Sequence, residues 1–461
     1  MCKSYTTYYE PDTIAAIASA LVPSAIGIIR LSGSLSFSIA QKIFSNHRHL
    51  LSSTSAHGFI INPETSVTID EVMTLRYHAP HSYTAEDMLE IFCHGSPAIM
   101  RLIFELCLSC GARAAEPGEF TRRAYLNGKL DLAQAEAVNL IGRSLTTEAA
   151  VHAVAQLHGN LSHDIHQLKQ SVIALRAHCE AYIEFPDDMN TDTAAPAALI
   201  LPALNRIEQE CRRLKKTRQT GIMMIEGAHI VIAGRTNTGK SSLFNALLNE
   251  ERVIVSHEAG TTRDVITATI NCNGIPITLH DTAGFKDTVN DIERTALHKT
   301  NESLQKAVLI LAVFDLAQPY TPEDERMITH IQKTTTPLIV IGNKTDLPRR
   351  LELPPSVSFD CLISAANKDG IHTVYNHITE KLGISDYNPG QSMILSARIG
   401  KCIDDIYAAC QKTRQDITDN QPLEYCSEGI QDIINALDAI TAPTTTNDIL
   451  DTIFNSFCLG K

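Results

Sequence analysis

The sequence has no tryptophan, and aromatic residues make up only 5% of its 461 positions. A hydrophobic core must therefore be built mostly from Leu, Ile, Val and Ala. The chain also lacks an excess of positive charge, because 39 Lys and Arg residues stand against 52 Asp and Glu residues, a formal net charge of −13. That balance argues against a protein that coats nucleic acid through a general positive field, although a local basic patch is compatible with it.

Long hydrophobic runs are also missing. The longest apolar stretches, such as Val308–Phe314, are far shorter than the ~20 residues that a membrane-spanning helix needs. The polar start of the chain gives no sign of a signal peptide. The twelve cysteines are spread thinly over the sequence, which favours free thiols in a reducing cytoplasm over a disulfide scaffold. We therefore expect a folded cytoplasmic protein with no membrane association.

The pattern of apolar residues changes three times along the chain, which is long enough for several domains of roughly 100–200 residues each. Residues 1–120 mix short strand-like runs with helical periodicity, and residues 121–218 show helical periodicity alone. Residues 219–383 alternate short apolar strands with amphipathic helices, which predicts a parallel sheet with crossover helices. Residues 384–461 are helical again. Because domains tolerate insertion at exposed loops, we expect a multidomain α/β plus all-α protein in which an α/β domain is inserted into a helical one.

A phosphate-binding motif lies near the start of the third segment. Residues 234–241 read GRTNTGKS, which fits G-x-x-x-x-G-K-[ST], between the apolar strand Ile230–Ala233 and a predicted helix. Glycines let backbone N–H groups turn toward a phosphate, and Lys240 can reach the β- and γ-phosphate oxygens. The Ser241 hydroxyl is suited to Mg²⁺. In this context a merely structural glycine turn is a poor alternative.

Further sequences follow at the spacing expected of a guanine nucleotide site. Asp281 begins the sequence DTAG after an apolar strand and places a carboxylate beside Mg²⁺. After Ser241, Thr262 is the expected second protein ligand of that ion. Asp346 ends the sequence NKTD and can accept both N1–H and N2–H of guanine, a donor pair that adenine lacks. These elements predict a Ras-like P-loop GTPase. The expected nucleotide-binding residues are Asn237, Thr238, Gly239, Lys240, Ser241, Ser242, Gly260, Thr261, Thr262, Asp281, Thr282, Ala283, Gly284, Asn343, Lys344, Thr345, Asp346, Ser364, Ala365 and Ala366.

Phe285 stands where small GTPases of the Ras type carry the glutamine that orients the attacking water. An apolar side chain cannot do this. Two interpretations stay open: fast hydrolysis is lost, or charge stabilisation comes from a partner or a monovalent cation. Asn237 is an oxygen donor near the phosphates that could serve such a cation.

Three other features have a structural and a functional interpretation. Cys107 and Cys110 have C-x-x-C spacing within a helical pattern, where core packing is favoured over a metal. The basic run 212–216 (RRLKK) reads as a solvated helix end, but it is also the clearest local candidate for contact with RNA phosphates. Cys458, near the end of the chain, reads as part of a frayed tail or as a nucleophile or redox thiol.

The layout as a whole resembles the family of tRNA modification GTPases called MnmE or TrmE, in the TrmE-Era-EngA-YihA-Septin-like superfamily. The resemblance rests on the GTPase elements, on the terminal Cys-x-Gly-Lys, and on the sequences GIIRLSG (27–33), SYTAEDMLE (82–90), PGEFT (117–121) and NGKLDLAQAEA (127–137). It implies an N-terminal α/β tetrahydrofolate-binding and dimerisation domain over residues 1–120. It also implies a helical domain split between residues 121–218 and 384–461, with an inserted G domain over residues 219–383.

The resemblance implies roles for single residues. Glu293 matches a catalytic glutamate that orients the hydrolytic water, and Cys458 matches a cysteine proposed to act in tRNA modification. Glu258 departs from the apolar residue expected in the potassium loop, but backbone carbonyls can bind a cation whatever the side chain. Positions that contact 5-formyl- or methylene-tetrahydrofolate are matched by Arg30, Glu90, Lys129 and Lys461. The potassium ligands are matched by Asn237, Ser256, Glu258 and Thr261, in a loop that adds His257 and Ala259 to the nucleotide site.

The family's activity implies GTP, Mg²⁺, K⁺ and a tetrahydrofolate derivative, and a homodimer whose G domains pair across the nucleotides. Its FAD-dependent partner is MnmG (GidA), with which it forms a heterotetramer that adds an aminomethyl or carboxymethylaminomethyl group to carbon 5 of the wobble uridine of certain tRNAs. A ribosome-assembly GTPase is one rival, but it predicts an RNA-binding module after residue 383, and none is evident. A folate-dependent one-carbon transferase with a vestigial G domain is another, and it is disfavoured because Lys240, Ser241, Thr262 and Asp281 are intact.

Overall fold

The computed structural model describes residues 12–48, 54–185, 194–250, 253–254, 266–281, 307–332, 334, 336–355, 357–384, 391–441, 447–457 and 460. The chain divides into two compact units. The first comprises Met1–Gly142, Gln156–Gln170 and Ile434–Lys461, and the second comprises Arg143–Ala155 and Ser171–Ile433.

The N-terminal part of the chain forms a six-stranded sheet. Its strands are β1 (Ile14–Ile17), β2 (Ser24–Ser32), β3 (Ser55–Ile61), β4 (Thr68–Tyr77), β5 (Met88–Gly95) and β6 (Arg113–Ala114), in the spatial order β3-β4-β5-β2-β1-β6. All neighbours are antiparallel except β1 and β6. The helices α1 (Ser36–Ile43) and α2 (Pro97–Ser109) pack against this sheet, and α3 (Glu119–Leu126) follows β6.

Alternating side chains explain which face of this sheet the helices cover. In β3 the buried residues Ala56, Gly58 and Ile60 alternate with the exposed residues His57 and Phe59, as expected of a strand with one covered face. The covered face joins α1 and α2 in one apolar core. Arg30 on β2 and Glu90 on β5 lie in register with each other.

Long helices occupy the segments on either side of the second sheet. They are α4 (Leu132–Arg143), α5 (Thr147–Leu157), α6 (Asn160–Glu184), α7 (Ala194–Glu226), α11 (Ala397–Thr418), α12 (Leu423–Thr441) and α13 (Asn447–Phe454). The helix α7 continues past residue 218, where we expected the first helical part to end, and stops before Gly227, whose φ is +80°. It packs on α11, and the backbone at Gly221 approaches the Ile394 carbonyl so closely that a Cβ would lie 2.3 Å from its oxygen.

The second sheet has seven strands. They are β7 (Ala228–Ala233), β8 (Val253–Ile254), β9 (Ile266–Cys272), β10 (Ile275–Asp281), β11 (Leu309–Asp315), β12 (Leu338–Asn343) and β13 (Cys361–Ile363), in the order β13-β12-β11-β7-β10-β9-β8. The helices of this region are α8 (Lys240–Glu250), α9 (Pro322–Gln332) and α10 (Ile371–Lys381). The predicted parallel sheet is confirmed for β13, β12, β11, β7 and β10, whereas β9 pairs antiparallel with β8 and β10. Every residue of the central strand β11 is buried, as expected of a parallel strand covered on both faces.

The carboxyl ends of parallel strands meet at one edge of a sheet, which is where ligands bind in open α/β folds. The ends of β7, β10 and β12 carry the phosphate loop, Asp281 and Asn343 to that edge. Among the described residues, no helix is long and apolar enough to cross a membrane. The ten cysteines that the structure describes are all free, and Cys107 is fully buried with its pKa raised to about 12 by burial, so the expected core role of Cys107 is confirmed.

Candidate nucleotide-binding site

The phosphate loop depends on two residues with positive φ. Asn237 has a φ of +65° and Gly239 a φ of +93°, a backbone region that favours glycine. A Cβ on Gly239 would lie 2.1 Å from Nδ2 of Asn343. That amide donates a 2.9 Å hydrogen bond to the Thr238 carbonyl and so joins the phosphate loop to the end of β12.

Lys240 lies at the start of α8 and is only 7% exposed. Burial lowers the pKa of this lysine, and the nearby Asp281 carboxylate acts in the opposite direction. Its Nζ donates a 2.7 Å hydrogen bond to the carbonyl of Arg235. Arg235 is held in turn by an ion pair with Asp324 at 2.9 Å. A buried lysine at a helix N-terminus gives the loop a concentrated positive charge, which suits a phosphate.

Ser241, an expected Mg²⁺ ligand, lies against Asp281, the carboxylate expected beside the ion. The Ser241 hydroxyl donates to Asp281 Oδ2 at 2.7 Å. Oδ1 of Asp281 is buried and has no hydrogen-bond partner among the described residues. A buried carboxylate oxygen without a partner is costly unless a ligand completes it. A hydroxyl and a carboxylate are the hard donors that Mg²⁺ prefers, so these two residues fit the ion.

The residues expected to recognise guanine are brought together by neighbouring strands. Asp346 Oδ1 accepts a 2.6 Å hydrogen bond from the Ser364 hydroxyl, which fixes one carboxylate oxygen. Asn343 Oδ1 accepts from the Ala365 amide at 3.0 Å. Lys344 has a φ of +70° and pairs with Asp315 at 2.7 Å. An oriented carboxylate beside the Ser-Ala-Ala segment is the arrangement that guanine requires.

Asp315 is a further member of this residue group that the sequence motifs do not include. It ends β11 and lies directly opposite Asn343 in the parallel register, and its side chain is 6% exposed. The sequence does indicate this position, because Asp315 ends an apolar strand that precedes the strand leading into NKTD.

Several expected site residues are exposed or lie outside the described residues. The described members that are exposed are Asn237, Ser241, Ser242, Thr345, Asp346 and Ala366. The expected residues outside the described part of the chain are Ser256, His257, Glu258, Ala259, Gly260, Thr261, Thr262, Thr282, Ala283, Gly284 and Glu293.

A second group of expected residues lies in the first unit around Arg30. The guanidinium of Arg30 pairs with Glu90 Oε1 at 2.8 Å, and Tyr77 donates to Glu90 Oε2 at 3.3 Å. The Cζ atom of Arg30 lies 5.8 Å from the ring centre of Tyr83 and 5.7 Å from that of Phe120. A cation and a carboxylate beside aromatic rings are chemically suited to bind a flat, charged heterocycle.

The last described residue reaches the same group. Arg30 donates to the Gly460 carbonyl at 3.2 Å, and Gly460, with a φ of +91°, leaves no room for a Cβ beside the Ile17 carbonyl. Cys458 and Lys461 lie outside the described residues. Lys129 is exposed in the turn after α3, and no hydrogen bond joins it to Arg30 or Glu90 in the part of the chain that the structure describes.

A buried ion network next to this group was not expected from the sequence. Arg123, on α3, is 5% exposed at its side chain and pairs with Asp12 at 2.6 Å, Glu119 at 3.0 Å and Glu86 at 3.2 Å. Arg113 also pairs with Glu119, at 2.7 Å. Burial alone raises the pKa of Glu119, but hydrogen bonds from Arg113, the Glu116 N–H and Arg123 outweigh it and leave the pKa lowered.

Together, a phosphate loop with a buried lysine, a serine beside a carboxylate at the Mg²⁺ position, and an oriented aspartate beside Ser364 define a P-loop GTPase. Two family models match the chain: "GTP-binding protein TrmE N-terminus" over residues 13–129 and "MnmE helical domain" over residues 132–458. The second model extends past the seven-stranded sheet to the C-terminal helices. The chain belongs to the tRNA modification GTPase MnmE family.

Curated relatives match over nearly the full length. A tRNA modification GTPase MnmE from Acetivibrio thermocellus is 35% identical over 463 residues, covering 98% of this chain and 100% of the relative. The protein of the same name from Streptococcus pneumoniae is 37% identical over 458 residues, covering 98% of this chain and 99% of the relative. A solved structure of Era from Aquifex aeolicus aligns with 39% of this chain and 66% of its own, at 24% identity and a TM-score of 0.29.

Proposed function

We propose that this chain is a potassium-stimulated GTPase that modifies the wobble uridine of certain tRNAs together with the FAD-dependent protein MnmG (GidA). The product is a 5-carboxymethylaminomethyl or aminomethyl group on that uridine. The observation that carries the proposal is the nucleotide site, with Lys240, the Ser241–Asp281 pair and the Asp346–Ser364 pair, in a chain that matches MnmE over nearly its full length.

Each described group has a distinct task in GTP binding and hydrolysis. Lys240 places positive charge at the β- and γ-phosphates, where negative charge increases in the transition state. Ser241 and Asp281 would hold Mg²⁺, directly or through water, and the ion neutralises the phosphate oxygens when bound. Asp346 would accept the two N–H groups of guanine, with Ser364 keeping its carboxylate in place.

The absence of a Ras-type glutamine at Phe285 requires charge stabilisation from other groups. We assign K⁺ binding to Asn237 and to a loop with Ser256, Glu258 and Thr261, and positioning of the water to Glu293. Pairing of G domains across the nucleotides in a homodimer would complete the site. Asn237 is exposed with a positive φ at the rim of the phosphate loop, which is compatible with a cation approaching the phosphates from solvent.

The folate role is assigned to Arg30, Glu90, Lys129 and Lys461. A carboxylate such as Glu90 suits the donor edge of a pterin, and cations suit the glutamate tail of a tetrahydrofolate. The position of Gly460 beside Arg30 supports a role for the adjacent Lys461 at this site, and Cys458 is assigned a part in the modification reaction. We place the protein in the cytoplasm, as a homodimer that forms a heterotetramer with MnmG.

Mass spectrometry of tRNA nucleosides tests the proposal. Cells lacking the gene should contain unmodified wobble uridine in the affected tRNAs, and the unaltered gene should restore the modification. Lys240→Ala should not restore it, because the phosphate loop loses its buried cation. Lys381→Ala, at the exposed end of α10, is the matched control and should restore it fully. Unchanged wobble uridines in the deletion strain would refute the proposal.

A further inference from the structure

The helices α7 and α11 form a basic face within a chain that is acidic overall. Between residues 205 and 218, α7 carries two carboxylates, Glu208 and Glu210, and six cations. The cations are Arg206, Arg212, Arg213, Lys215, Lys216 and Arg218. The facing part of α11 carries Asp404 and Asp405 against three cations over residues 401–414. We call the surface of Arg212, Lys215, Lys216, Arg218, Lys401 and Tyr407 the α7–α11 face.

Ion pairing between the two helices leaves this face positive, because Asp404 and Glu208 are each shared by two cations. Asp404 accepts from Arg218 at 2.6 Å and from Lys215 at 2.7 Å. Glu208, which is 7% exposed at its side chain, pairs closely with Arg414 at 2.7 Å, while its contact with Arg212 is 3.5 Å long. Each of these two groups therefore keeps about one positive charge that no carboxylate within it neutralises.

Tyr407 holds two of these cations in place. The Lys215 ammonium lies 4.7 Å from its ring centre, and the Arg212 guanidinium lies 5.7 Å from the same centre. Arg212 also donates to the Tyr407 hydroxyl at 3.2 Å. The Arg212 side chain is nevertheless 60% exposed. A guanidinium that rests on an aromatic ring is pre-oriented, and its free side can receive a phosphate or stack with a base.

Two further lysines extend the positive charge along the face. Lys216 lies one helical turn after Arg212, and Lys401 lies almost one turn before Asp404 on α11. Both are exposed, and neither has an ion pair among the described residues.

We propose that the α7–α11 face binds the phosphodiester backbone of RNA. The proposal deepens the proposed function, on which it rests, by assigning a surface for the tRNA. An RNA backbone matches the row of exposed cations with regularly spaced charges, and arginine on tyrosine adds a stacking surface that lipid headgroups would not use. The face supplies affinity for the backbone and no base-specific readout, because backbone contacts carry no sequence information directly.

Fluorescence anisotropy with a labelled, unmodified tRNA transcript and the full chain tests the proposal. The double variant R212A/K216A should weaken binding by about tenfold at moderate salt and lower the slope of log affinity against log salt by about two. Lys381→Ala, which removes an exposed cation from another helix of the same unit, is the control and should bind like the unaltered protein. Tyr407→Phe keeps the ring and should retain most of the affinity. Melting temperatures within a few degrees of the unaltered protein establish that the variants fold.

Distinct outcomes separate this proposal from the proposed function. An unchanged affinity and salt slope in R212A/K216A would overturn the RNA surface, whatever the GTP turnover of the unaltered protein. Loss of binding to an acidic partner protein or to vesicles with anionic lipid, with RNA binding intact, would also overturn it. If the unaltered protein bound RNA through this face but failed to hydrolyse GTP, the surface would stand and the proposed function would fail.

Discussion

Replacing Gly239 by alanine should separate the phosphate loop from the base-recognition loop. The glycine has a φ of +93°, and a Cβ at this position would lie 2.1 Å from Nδ2 of Asn343. Asn343 is 2% exposed, so its amide cannot simply turn into solvent. The clash must therefore displace the amide from the Thr238 carbonyl, to which it donates at 2.9 Å.

Gly383 provides the comparison that isolates this clash. Its φ is +62°, but a Cβ there would meet nothing within 4 Å. Both alanine variants therefore carry the cost of a positive φ, about 1–2 kcal/mol. Only Gly239→Ala also loses a buried hydrogen bond, which costs about 1–3 kcal/mol.

The difference should appear in nucleotide affinity, because Asn343 and Thr238 lie within the site. At 1.4 kcal/mol per factor of ten, a loss of about 1–3 kcal/mol corresponds to roughly 5- to 150-fold weaker binding. Titration with a fluorescent GDP analogue in Mg²⁺ buffer measures it. Gly383→Ala should lose thermal stability but bind the nucleotide normally. Equal affinities for the two variants would refute the reasoning that the Gly239 contact couples the two loops.

Two further predictions concern the cation and pH. GTP turnover should be several-fold higher in K⁺ than in Na⁺ at equal ionic strength, with nucleotide affinity measured in both salts as the control; equal turnover would contradict the cation assignment. Glu119, with a lowered pKa in the folded state, stabilises the fold fully above its unfolded pKa of about 4.3, and this stability is lost as pH falls through the lower folded pKa. Glu119→Gln should therefore be less stable than the unaltered protein at pH 7, with the gap narrowing toward pH 3 in urea unfolding; a gap independent of pH would contradict it.

Much of the nucleotide site could be predicted from the sequence because its residues follow strands directly. The motif around Lys240 fixes a strand, a turn and a helix at once, and the parallel order of β7, β10 and β12 then brings Asp281 and Asn343 to the same edge. Local spacing and the geometry of parallel sheets were sufficient for this step.

Contacts set by strand register and long-range pairing could not be predicted in the same way. The Lys344–Asp315 pair requires that Asp315 lie opposite Asn343, which depends on the alignment of β11 with β12. The Arg123 network joins α3 to Asp12, a residue 111 positions earlier. No periodicity within α3 indicates that its arginine faces a buried carboxylate instead of solvent, since both are compatible with the same helical pattern.

The net charge of the chain likewise cannot predict a local excess of charge that depends on helix packing. A balance of −13 excludes a general positive field, but a charge total says nothing about how the charges are shared. Lys215 and Arg218 lie three residues apart on α7 and so face the same way, while the single carboxylate that meets them, Asp404, comes from α11. The local excess of positive charge thus arises because two cations of one helix meet one anion of another. It can be recognised only when the packing of α7 on α11 is known, and acidic residues elsewhere in the chain do not cancel it beyond a screening distance of about 8 Å in physiological salt.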